Sequence, residues 1–156
     1  MISKIRLFIQ VVDDLDLIEN IKKAFSIINK NFSNYNFVTE YNKISKEFDI
    51  IIGNPPYVES KKIPQKIKYG NLYAEIIENS IKLLKNNGKL GFIIPISFIS
   101  TPRMNKIRDF VLKNSSEIIL LNYSDRPSSL FFSVHQKLSI LFIEKNITKD
   151  FKLYTS

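Results

Sequence analysis

The 156-residue chain contains no cysteine, so disulfides and thiolate metal sites are excluded, and a cytoplasmic setting fits. It also lacks a long hydrophobic run: the longest, Leu90 to Ile99, is too short to span a bilayer and is broken by Pro95. The N-terminal MISKIRLFIQVVDDLD carries two basic residues and a brief apolar stretch, but Gln10 and the acids that follow do not suit a secretory signal. Glycine is scarce, with Gly53, Gly70, Gly88 and Gly91 the full set. Arginine is scarce too. Only 4 of the 23 basic residues are Arg, against 15 acidic residues, for a net charge of +8. That excess favours a polyanionic partner. Lysines interleaved with Asn and Ile are equally what an AT-rich coding sequence produces, so charge alone decides nothing.

What is present reads as an ordinary globular protein, with 44% apolar and 24% charged residues. The length suits one domain, 1–156, able to bury a core. Apolar runs predict strands at Ile5–Val12, Phe48–Ile52, Leu90–Ile94, Glu117–Asn122 and Lys137–Glu144, with a shorter sixth at Asn36–Glu40. Helical periodicity lies between them. LDLIENIKKAFSIINKNF sets Leu17, Ile18, Ile21, Ala24, Phe25 and Ile28 on one stripe. NLYAEIIENSIKLLKNNG does the same with Leu72, Ile76, Ile77, Ile81 and Leu84, and Gly88 offers a left-handed stop. TPRMNKIRDFVLKN opens with Thr101 as cap and Pro102 at the first helical position. Strands alternating with amphipathic helices predict an α/β fold with a mostly parallel sheet flanked by helices.

In such sheets ligands bind at the carboxyl ends of strands. Asn54-Pro55-Pro56-Tyr57 falls there, directly after Phe48–Gly53. Each proline fixes its own φ and holds the preceding residue extended, so Asn54 and Pro55 form a stiff segment without local helical bonds. The Asn54 side-chain oxygen and the Pro55 carbonyl can together accept both N–H bonds of one amino group, with Pro56 as rigid spacer and Tyr57 as a flat face beside them. A planar ring bearing an amino group, held by two acceptors and stacked on an aromatic, describes an extruded nucleobase. Stacking contributes about 1–3 kcal/mol per base, comparable with the cost of unstacking. The plain alternative is a Pro-Pro turn that ends a strand.

With that tetrad the chain resembles the adenine-specific DNA methyltransferases, in particular the gamma-class methylases of type IIG and related restriction-modification systems. The likeness extends to NLYAEIIENSIKLLKNNGKLGFIIPISFIS with its Pro-x-Ser-Phe turn (Pro95, Ser97, Phe98), to MNKIRDFVLKN, and to SSLFFSVHQKLSILFIEK. It implies a partial Rossmann-like class I methyltransferase fold. It also implies S-adenosylmethionine as cofactor, DNA as partner, and transfer of a methyl group to the N6 of a flipped adenine held by Asn54, Pro55, Pro56 and Tyr57. On the same resemblance Phe131, with Phe132 its close rival, is a second aromatic wall against the base; core packing is the alternative for Phe131. Asp14 matches the acid that grips the cofactor ribose, or is a first-turn helix acid. Glu40 falls where the family has an acid contacting the cofactor's adenine, or is a loop acid. Tyr73, in Asn71-Leu72-Tyr73, resembles a family Asp-Leu-Tyr and is expected to pack the helix.

Members of that family carry a first strand followed by Phe-x-Gly-x-Gly, and none of the four glycines here forms such a loop. If Ile5–Val12 is the second strand, the first is absent, and so is the target-recognition region. The expectation is a catalytic segment of a methyltransferase, incomplete alone. Its partners are then a missing N-terminal segment and a target-recognition or nuclease subunit, with no membrane. A competing placement puts Ile5–Val12 in the first-strand position, where Asp13 and Asp14 would repel the cofactor's carboxylate. Two other functions remain open: methylation of a protein glutamine amide or a ribosomal RNA guanine, or a non-catalytic nucleic-acid-binding subunit. The sole histidine, His135, has no visible acid–base partner.

Overall fold

Asn71 starts the best-defined helix. Its backbone is extended and its side-chain oxygen accepts from the Tyr73 N–H at 3.4 Å, the geometry of an N-cap. The helix it opens, Leu72–Leu83 (α2), is buried on most of its circumference. In the computed structural model, which describes residues 18–62, 67–124, 136–146 and 151–156, it follows an earlier helix, Ile18–Asn31 (α1), and a strand, Phe48–Gly53 (β1). Next come Leu84–Pro95 (β2), a single helical turn at Ser97–Ser100 (α3), Asn105–Lys113 (α4), Ser115–Tyr123 (β3), Leu138–Lys145 (β4) and Lys152–Thr155 (β5). Contacts divide the chain into two units, Met1–Asn36 and Phe37–Ser156. In the first, Ile28 of α1 is buried while Phe25 and Ile27 are exposed. The predicted stripe therefore holds at Ile28 and not at Phe25. No helix among the described residues is long and apolar enough to cross a membrane.

The second unit is a sheet of order β1-β2-β4-β3-β5 with helices against it. The α/β class stands, and its strand pairs divide evenly. β1/β2 and β3/β5 are parallel, while β2/β4 and β3/β4 are antiparallel. β4 enters between β2 and β3, which makes the sheet mixed. Alternation along the strands puts Leu90, Phe92, Ile94, Ile118, Leu120, Leu141 and Ile143 into one core. Tyr73, Ala74, Ile77 and Ile81 of α2 and Ile107 and Val111 of α4 pack on that face.

Three local expectations change. Asn36–Glu40 is a turn leading into a 3₁₀ turn, Tyr41–Lys43, because the Asn79 amide of α2 donates to the Phe37 and Val38 carbonyls at 3.2 and 3.3 Å. Thr101 does not cap the next helix with its side chain; its hydroxyl donates back to the Ser97 carbonyl at 2.7 Å, and Pro102 opens a 3₁₀ turn before α4. Gly88 is not the left-handed residue. α2 passes straight into β2 at Leu84, the β1/β2 register jumps between Phe48 and Ile50, and Asn87 takes φ 62° within that irregularity, a conformation Asn tolerates. Gly88 is needed instead for close approach: a Cβ there would lie 2.8 Å from the Lys85 carbonyl and 3.1 Å from that of Phe48. Gly88→Ala is therefore expected to destabilise by about 1–3 kcal/mol and Asn87→Gly by much less. Denaturant midpoints for the two variants check this, and an unchanged Gly88→Ala midpoint contradicts it.

The loop before α2 is fastened by a polar cluster. Buried Glu78 accepts from Lys68 at 2.8 Å, pairs with Lys82 at 2.7 Å and accepts from the Tyr69 hydroxyl. Burial opposes ionisation of Glu78, but the bonds from Lys68, Lys82 and Tyr69 outweigh it and hold the carboxyl down at about 2. Because the folded value lies below the ordinary one, the contribution is fully present above pH 4.5 and is lost as pH falls toward 2. With both lysines about half exposed, it is on the order of 2 kcal/mol. Urea midpoints should fall across that window in the wild type and flatten in Glu78→Gln. A slope unchanged by the substitution contradicts the assignment.

Candidate functional site

β1 delivers the tetrad. The strand ends at Gly53 and the next four residues carry no regular structure, as two successive prolines require. Asn54 and Pro56 are exposed, Pro55 is buried and Tyr57 is half-buried against the core. The Tyr57 hydroxyl lies 2.7 Å from Asn54 Oδ1 and 3.0 Å from the Ile93 carbonyl of β2, with its one proton to donate between them. Burial raises its pKa, so it stays a neutral donor. An amide oxygen has two acceptor sites, so Asn54 Oδ1 keeps one for a further N–H. No donor among the described residues bonds the Pro55 carbonyl.

The loop after the tetrad is anchored to the start of α2. The Leu72 N–H donates to the Val58 carbonyl at 2.8 Å, and Glu59 bridges to Asn71. Glu59 also pairs with Arg103 at 2.9 Å, an exposed contact of small energetic weight. In the Pro95-x-Ser97-Phe98 stretch Pro95 ends β2, Ile96 precedes the helical turn, and Ser97 and Phe98 open α3, with Phe98 buried. Arg108 of α4 donates to the Phe98 carbonyl at 2.6 Å and the Thr101 carbonyl at 3.0 Å, satisfying the end of that turn. This link was not legible in the sequence. Its signal is an arginine seven residues beyond Thr101, which only the tertiary turn converts into a cap.

Of the other expected site residues, Glu40 precedes the 3₁₀ turn Tyr41–Lys43 and its carboxylate accepts from Lys43. Asp14, Phe131 and Phe132 lie outside the described residues, as does His135. Tyr73 is fully buried in the core, as its helix-packing expectation required.

A family model described as Eco57I restriction-modification methylase matches residues 2–131. The chain belongs to this family. Among curated relatives of this Eco57I-family chain, the type II restriction enzyme and methyltransferase RM.Eco57I of Escherichia coli is 28% identical over 132 residues, covering 75% of this chain and 13% of RM.Eco57I. The type II methyltransferase M.HincII of Haemophilus influenzae is 37% identical over 108 residues, covering 58% of this chain and 21% of its own. The chain thus spans between about an eighth and a fifth of these relatives' lengths. Among solved structures, the M protein of the type I restriction enzyme EcoKI matches with TM-score 0.57 at 17% identity, over 78% of this chain and 28% of its own. A Listeria monocytogenes protein assigned to the class I S-adenosylmethionine-dependent methyltransferases matches with TM-score 0.51 at 21% identity, over 90% of this chain and 46% of its own. The fold is that of the class I methyltransferases.

Family and fold imply S-adenosylmethionine as the cofactor. Among the described residues, however, there is no Phe-x-Gly-x-Gly loop, and of the two acids expected against the cofactor only Glu40 lies among them. The described residues do not complete a seat for that group.

Proposed function

We propose that the chain is the acceptor-base portion of a DNA adenine-N6 methyltransferase of a restriction-modification system, acting in the cytoplasm. One observation carries this reading: an exposed Asn54 oxygen, bonded by the Tyr57 hydroxyl, beside a carbonyl locked by two prolines at the end of a sheet strand. The target's amino group would donate one N–H to Asn54 Oδ1 and the other to the Pro55 carbonyl. Tyr57 would supply the stacking face, and Phe131 or Phe132 the opposite wall. Two carbonyl dipoles on the amino group stabilise the positive charge its nitrogen acquires on alkylation. Holding it in line contributes further through positioning. Neither effect needs an acid–base histidine.

The same reading gives β1 a further neighbour. β1 is an edge of the described sheet, and Ile50 and Ile52 on it are 65% and 78% exposed. An apolar edge strand of this kind is suited to pairing. The proposed occupant is a parallel strand leading into a glycine loop, which together with Asp14 and Glu40 would form the cofactor seat. A target-recognition or nuclease subunit would complete the enzyme.

The test is the acceptor. The assembled protein, offered duplex DNA, ribosomal RNA and glutamine-bearing protein with methyl-labelled cofactor, should place label in deoxyadenosine. Label in guanine or in a glutamine amide overturns the reading.

A further inference from the structure

The tetrad explains Asn54 and Tyr57 but leaves Tyr73 and the Pro95-x-Ser97-Phe98 turn without a role. The structure joins all of them. The Tyr57 and Tyr73 rings meet at 90° with centroids 6.3 Å apart, within the favoured range for edge-to-face pairs. The Tyr73 hydroxyl lies 3.2 Å from Ser97 Oγ. Tyr73 is fully buried, and burial raises its pKa, so the phenol stays neutral. Both ends of this link are fixed. Asn71 caps the helix that carries Tyr73, and Arg108 holds the turn that carries Ser97 through the Phe98 and Thr101 carbonyls.

We infer that Tyr73, held by Ser97, is a positioning residue that sets the plane of the Tyr57 ring. The hydroxyl of Tyr57 is tethered to Asn54 and Ile93, which fixes where the ring ends but leaves rotation about that axis. A right-angled neighbour removes this freedom. A second ring held by its own hydrogen bond removes it before any base arrives, so the stacking face carries no ordering cost on binding. The functional consequence rests on the base-binding reading above; the clamp itself does not.

The test separates the two. The chain has seven tyrosines, so uniform 3-fluorotyrosine labelling gives a countable fluorine spectrum, and Tyr57→Phe assigns the Tyr57 resonance. Tyr73→Phe and Ser97→Ala each remove the same hydrogen bond while keeping the core filled. Each should shift or broaden the Tyr57 resonance, and the double variant should do no more than either single one. Affinity for an oligonucleotide duplex with one unpaired adenine should fall about three- to tenfold in each, with the same non-additivity. Thermal midpoints report any general loss of structure. A Tyr57 resonance unmoved in both single variants overturns the clamp, whatever the affinities do. A resonance that moves while Tyr57→Ala leaves probe affinity intact supports the clamp and removes the base-binding reading.

Discussion

Asn54→Ala should lower methyl transfer by about 100-fold or more in the assembled enzyme, the scale of removing one preorganised hydrogen-bonding group from a developing charge. The residue is exposed at the strand end, so its loss should move folding stability little. Among the described residues its side chain makes one hydrogen bond, accepted from Tyr57, and that hydroxyl has the Ile93 carbonyl as a ready alternative 3.0 Å away. A large effect on transfer with a small effect on unfolding is thus the expected signature. Substitution by Asp keeps the acceptor geometry but adds a charge that burial of a base would desolvate, so it should restore activity only in part. Activity within a few-fold of wild type in Asn54→Ala would show that the amino group is held elsewhere.

The second large effect concerns the cofactor. Calorimetry on the purified 156-residue chain should show S-adenosylmethionine binding with a Kd above about 1 mM, less than about 4 kcal/mol of binding free energy. The chain joined to an upstream strand and glycine loop should gain at least about 100-fold. The described residues hold no Phe-x-Gly-x-Gly loop, and Asp14 lies outside them. Exposed Ile50 and Ile52 on an edge strand are where the completing strand would lie. Micromolar binding by the chain alone would show that the seat is already whole.

How much of this was legible follows from what each element depends on. β1 and the tetrad were plain, because three consecutive isoleucines and two prolines dictate backbone shape without help from the rest of the fold. Fold class was plain for the same reason: helical and strand periods are local. What needed coordinates was tertiary. The Asn36–Glu40 run has a strand's composition, yet Asn79, some forty residues on, takes its carbonyls. Gly88 looked like a helix stop, but the stop lies at Leu84 and the left-handed residue is Asn87, because the register jump beside β1 falls there. β5 was missed because its four residues are short and exposed. At the site, Asn54 and Tyr57 were named from the chain, whereas the Tyr57–Tyr73–Ser97 link and the Arg108 cap join segments that no local pattern connects.

The central claim, that Asn54 and Pro55 hold the amino edge of an adenine lying on Tyr57, is tested most directly by removing the donors from the base. Duplexes carrying a single unpaired adenine, which costs little to extrude, are compared with the same duplexes carrying N6,N6-dimethyladenine. The wild-type protein should prefer adenine by at least about tenfold, roughly 1.4 kcal/mol for two lost hydrogen bonds, and Asn54→Ala should shrink that preference sharply. Equal affinity for the two bases in the wild type would contradict the account.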